Sequence, residues 1–183
     1  ETANTGVGYA AGYYNVTGTE NTYIGFKSGF GASGQSNSAN VGVGASALIS
    51  ITTGGDLIAV GRKALFSNTS GNSNTAVGVN AGYFNATGGA NTYIGSSAGK
   101  GALNQNNENN TAVGKDALLA IRTGDYNVSV GSRSGDAVTT ASGSVLLGYD
   151  AGGTLTTGNM NIAIGYKSMD GGTTTGDNNI AIG

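Results

Sequence analysis

Proline, cysteine, histidine and tryptophan are all missing from this sequence. The lack of cysteine rules out disulfides, and the lack of histidine as well rules out the common nucleophilic triads and zinc sites. Without proline or a Gly-x-y period, the 35 glycines do not make collagen. Charge is sparse too: 10% of residues are charged and the net charge is -2, which excludes the clustered Lys/Arg surface that nucleic acid needs. No apolar run approaches the roughly 20 residues of a membrane helix, so no membrane insertion is expected. A calcium repeat of the Gly-Gly-x-Gly-x-Asp type is absent as well, and no metal or cofactor is expected. Disorder is excluded on other grounds, because Val, Ile and Ala fall at fixed phases and are not scattered.

Those phases belong to a repeat. The pattern Asn-x-x-(Val/Ile)-Gly recurs along the chain, closing at Gly8, Gly25, Gly44, Gly61, Gly78, Gly95, Gly114, Gly131, Gly148, Gly165 and Gly183. The spacings are 17, 19, 17, 17, 17, 19, 17, 17, 17 and 18 residues. A short period held over eleven copies predicts an all-β parallel solenoid of about 17-residue coils, a single repeat domain over 1-183. The chain begins and ends inside a repeat, so it is expected to be a fragment cut from a longer chain.

Positions are counted here from the closing glycine. Position -4 is Asn in nine of eleven copies, Leu57 and Ser144 being the exceptions. Positions -3 and -1 are Thr, Val, Ile or Leu, an alternation that predicts a short strand with those two residues inward and -2 on the other face. Position +3 is only Ala or Ser, which predicts close backbone approach and a second short strand over +1 to +4. Position -7 is Gly in seven of ten copies and Asn37 or Asn107 in the two longest coils, which predicts a turn residue of positive φ. Stacked coils at about 4.8 Å place the -4 asparagines in a hydrogen-bonded column.

A longer period overlies the first. Gly8, Gly25, Gly44 and Gly61 recur 70 residues on, giving duplicated blocks 1-70 and 71-140 and a partial block 141-183. The two 19-residue coils must bulge, and bulges are where repeat proteins place contacts, so Gln35, Gln105 and Asn107 are candidate surface contacts. Aromatic residues recur at matched phases: Tyr9, Phe26, Tyr149 and Tyr166 at +1, with Tyr14 and Phe84 at +6. These predict ring stacking between coils and candidate surface contacts. Asp125, Asp136, Asp150, Asp170 and Asp177 are the carboxylates a glycosidase would draw on, yet none has a partner at a repeated phase, so no enzyme is expected. Each coil buries few large side chains. The small residues at -2 and +4 offer a second face for other chains, so an oligomer about the rod axis is expected.

The stretch Asn161-Ile162-Ala163-Ile164-Gly165-Tyr166-Lys167-Ser168 resembles the head repeat of YadA-type trimeric autotransporter adhesins. Thr157-Gly158-Asn159 is similar to the turns of phage tail fibres and related trimeric bacterial fibres. The resemblance runs along the whole chain, although the coil here is longer. It implies a left-handed β-roll in a homotrimer, located outside the cell on a bacterial surface or virion tail fibre. No ligand residue is carried over from it. The expected function is a structural and adhesive fibre segment that contacts a host cell-surface glycan or protein. A passive spacer and an ice-binding solenoid are the alternatives. The second needs an exposed Thr array, but Thr5, Thr22, Thr75, Thr92 and Thr111 share their phase with Val and Ile and read as core.

Overall fold

The computed structural model describes residues 3-34, 36-103, 105-172 and 175-183. It is an all-β solenoid with one three-residue strand per coil. The strands are β1 (Thr5–Val7), β2 (Thr22–Ile24), β3 (Val41–Val43), β4 (Ile58–Val60), β5 (Thr75–Val77) and β6 (Thr92–Ile94). They continue as β7 (Thr111–Val113), β8 (Val128–Val130), β9 (Val145–Leu147), β10 (Ile162–Ile164) and β11 (Ile180–Ile182). All pair in parallel, each only with its neighbours in sequence, in the order β1 to β11. Register joins equal phases throughout. The extra residues of the 19-residue coils leave it intact, with Tyr23 opposite Gly42 and Tyr93 opposite Ala112.

The turns come from backbone conformations that L-residues seldom adopt. Among the described residues, the non-glycine residues of left-handed φ fall at +2, +4 and -5, as at Lys63 (φ 59), Leu65 (φ 47) and Asp56 (φ 57). The closing glycine has φ between 127 and 142, and a Cβ on Gly44 would lie 2.6 Å from the carbonyl oxygen of Gly61 in the next coil. Two expectations are corrected here. Residues +1 to +4 form a turn and not a strand, although +3 does point inward and amides still bond coil to coil, as from Gly29 N to Ala47 O (2.8 Å). The -7 glycines are not residues of positive φ. They are small because the backbone above is close: a Cβ on Gly54 would lie 2.7 Å from the Gly71 carbonyl oxygen.

The facing of the strand is also corrected. Position -2 is the inward one, with Ala59, Ala76, Tyr93, Ala112 and Leu146 fully buried. Positions -3 and -1 face outward, where Ile58 is 44% and Ile94 40% exposed. The coil is too narrow for two β-branched rows inside, so the small row takes the interior. Core volume is then shared between -2 and +4. Where -2 is Gly42, Ala59 or Ala112, the same coil has Leu48, Leu65 or Leu118 at +4. Where -2 is Tyr23, Tyr93 or Leu146, it has Gly29, Gly99 or Gly152, and a Cβ on any of these would overlap the large side chain.

The asparagine column forms as expected. Asn91 Oδ1 accepts from Asn110 N (2.9 Å) and Nδ2 (3.2 Å), while Asn91 Nδ2 donates to Asn74 Oδ1 (3.1 Å) and Asn107 O (2.8 Å). A second column, at -6, runs in the opposite sense. Glu108 N donates to Asp125 Oδ1, Asp125 N to Ser142 Oγ, and Ser142 N to Asn159 Oδ1. Each interface between these coils is therefore held by side chains reaching both up and down the stack.

Candidate functional site

Two surfaces differ from the rest of the rod. The first is the outer face of the sheet. Each strand contributes its -3 and -1 residues, and along all eleven strands these are only Val, Ile, Leu or Thr. Ten steps of about 4.8 Å make a stripe on the order of 48 Å long without one charge. The Thr residues at -3, expected in the core, stand on this outward face, most of them half-buried among Val and Ile.

The second surface is the turn face, +1 to +6, where left-handed residues at +2 and +4 hold side chains in straight columns. Four of the expected contact residues pair there: Tyr9 stacks on Phe26 with centroids 5.5 Å apart, and Tyr149 on Tyr166 at 5.3 Å. Tyr14 meets Tyr13 edge-on at 4.7 Å, and Phe84 meets Tyr83 edge-on at 4.5 Å. Of the column at +5, matching the two blocks finds Tyr13 and Tyr83 but misses Phe30 and Phe66. The column runs Tyr13, Phe30, Ile49, Phe66, Tyr83 and Lys100, with Tyr13 on Phe30 at 5.7 Å and Phe66 on Tyr83 at 4.7 Å. Lys27 Nζ lies 5.5 and 5.2 Å from the Phe26 and Phe30 centroids, and Lys63 Nζ lies 5.3 and 5.9 Å from those of Phe66 and Tyr83. Aligning all coils by phase, rather than comparing the two blocks, would have found the whole column.

The loop residues fare differently. Gln35 lies outside the described residues. Gln105 and Asn107 are not surface contacts: they are 1% and 0% exposed. The bulge itself is displayed, with Leu103 75% exposed, but the chain then turns inward. The cause is the buried tyrosine. The Tyr93 hydroxyl donates to Asn107 Oδ1 and the Tyr23 hydroxyl to Asn37 Oδ1 (2.6 Å), so each long coil supplies the acceptor its interior phenol requires. Burial pushes both phenols well above the usual tyrosine range. At Tyr93 the charge of Asp125 adds to this, and the Asn107 hydrogen bond opposes it.

The five candidate carboxylates of the later coils, three on the turn face and two in the -6 column, are already engaged. Asp150 lies between Arg133 (3.4 Å) and Lys167 (3.8 Å), Arg133 also reaches Asp136 (3.1 Å), and Lys167 reaches Asp170 (3.6 Å). Asp125 and Asp177 accept backbone amides from Glu108 and Asn159. Burial raises Asp136 from its ordinary value despite the Arg133 hydrogen bond, and Asp136 in turn holds Arg133 more firmly protonated. Among the described residues no group of three or more acidic, His or Cys side chains could hold a metal, and no helix is long and apolar enough to cross a membrane. Compared with protein-family models, characterised proteins and solved structures, the chain matches none.

Proposed function

We propose that this chain is a structural and adhesive segment of an extracellular trimeric fibre, a bacterial surface or virion tail fibre. Three left-handed solenoids would lie side by side around a common axis and present their turn faces outward to a cell-surface ligand. One observation carries the reading: the outward stripe of Val, Ile, Leu and Thr along the whole sheet. Monomeric soluble proteins rarely leave so continuous an apolar strip in water. The face for other chains is then the -3/-1 stripe and not the small-residue rows, which are interior. The stacked aromatics of the turn face remain free for a ligand, and three copies of a weak site would gain strength through effective concentration. Light scattering during size exclusion tests the assembly, with the mass of three chains expected. Retention on immobilised glycans or intact cells tests adhesion, and its absence from a trimer would leave a passive spacer.

A second reading is favoured by the same face. Thr5, Thr22, Thr75, Thr92 and Thr111 stand outward beside Val and Ile on a regular sheet, the array an ice-binding solenoid requires. Thermal hysteresis from a monodisperse monomer would favour it over the fibre, and a trimer without hysteresis would close it.

A further inference from the structure

The turn face is divided by charge. From the coil closed by Gly8 to that closed by Gly95, positions +1 to +6 hold Lys27, Arg62, Lys63 and Lys100 and no acidic residue. From the coil closed by Gly114 onward the same positions hold Asp116, Asp136, Asp150 and Asp170. Among the described residues every ion pair lies in this second half. In a chain of net charge -2, the first half therefore carries a local positive strip. The rings at +5 and the Tyr9–Phe26 pair lie in that strip, while the Tyr149–Tyr166 pair lies in the second half. The two ammonium groups over rings belong to coils two steps apart, about 9.6 Å along the axis.

Resting on the adhesive reading, we propose that the first half of the turn face binds an extended anionic polysaccharide. Uronate carboxylates, or sulfates, would pair with Lys27, Lys63 and Lys100, and sugar faces would lie against Phe30, Phe66 and Tyr83. The chemistry follows from the surface. The two stacked ring pairs at +5, Tyr13 on Phe30 and Phe66 on Tyr83, with Ile49 between them, offer apolar surfaces that suit the C–H faces of sugars along the axis. Lysine offers a point charge on a flexible stem, which suits anionic groups whose spacing need not match the coil. The second half, where cations are neutralised by Asp136, Asp150 and Asp170, has no free positive charge to offer and does not bind.

The test uses the whole chain in affinity electrophoresis through gels containing polygalacturonate, its methyl ester, or polyglutamate. Polygalacturonate should retard the chain, and the methyl ester, which has the same sugars without the charge, should not. The double variant Lys27→Gln/Lys63→Gln should weaken retardation about tenfold while thermal unfolding is unchanged, and Lys167→Gln, from the paired half, should leave it as it is. Equal retardation by the methyl ester, indifference to Lys27→Gln/Lys63→Gln, or equal retardation by polyglutamate would each overturn the assignment. If polygalacturonate fails while neutral glycans or cells retain the chain, this inference falls and the adhesive reading stands. If nothing retains it, both fall.

Discussion

Replacing Asn91 by alanine tests how the stack is held together. Its side chain is buried and makes four hydrogen bonds spanning three coils. Alanine removes all four and leaves the Asn110 amide and the Asn107 carbonyl in the interior without those partners. Each orphaned buried group costs about 1–3 kcal/mol, so the loss should be about 2–6 kcal/mol. Asn72 is the control. Its Oδ1 accepts Gly55 N at 2.8 Å in the -6 column, but that site is open to water, and Asn72→Ala should cost less than about 1 kcal/mol. Urea midpoints at one fixed protein concentration give the comparison, because assembly would make stability depend on concentration. Amide exchange gives the local signature: Asn110 N–H should lose protection in Asn91→Ala, while amides several coils away keep theirs. Equal costs for the two variants, or an Asn110 amide as protected as before, would refute the view that buried side-chain ladders hold coil to coil.

The shared core volume predicts that Gly99→Leu, which installs the residue found at the same phase as Leu65, fails by overlap with Tyr93, and that Tyr93→Ala in the same chain recovers much of the lost stability. A double-mutant cycle by urea denaturation measures this, and additive losses would contradict it. Both buried phenols have raised folded-state values, so the folded chain holds those protons more tightly than the unfolded one. Stability is therefore complete below the ordinary tyrosine value of 10.0 and falls as pH rises beyond it, a fall that Tyr23→Phe/Tyr93→Phe should flatten in pH-dependent melting. On the outer stripe, Ile94→Lys should reduce the light-scattering mass from three chains to one if that face is shared. In a chain that is a monomer from the start it should change stability by less than about 0.5 kcal/mol.

The period, the strand ahead of each closing glycine, the asparagine column and the inward Ala/Ser at +3 were all legible in the sequence, because each is a position where one residue type recurs, whereas the second strand expected over +1 to +4 is a turn. The facing of the strand was not. Alternation has period two, and both of its phases here are non-polar, β-branched at -3 and -1 and mostly small at -2. The usual rule that the larger apolar row is buried fails where a coil is too thin to hold it. Tyr23 and Tyr93 break the small row, and they fit only because Gly29 and Gly99 yield the space elsewhere in the coil. Their hydroxyls also explain why Asn107 was misread: an asparagine in a long polar loop looks exposed until a buried phenol is found that needs it. The -7 glycines were ambiguous in kind, since a glycine kept for close approach is spelled the same way as one kept for positive φ. Among the contact candidates, the rings at +1 and +6 were found by matching blocks, while Phe30 and Phe66 needed alignment by phase.

Because every strand bonds only to its sequence neighbours, the hydrogen bonds between coils point along the rod, and tension on such a rod loads its interfaces in series. The weakest interface yields first and the others hold. A coil pulled free gives up about 4.8 Å of stack and releases its roughly 17 residues, about 55 Å of extended chain. The rod would thus lengthen in steps under load, absorbing work one coil at a time, and single-molecule pulling would record it as a sawtooth with that step or a multiple of it.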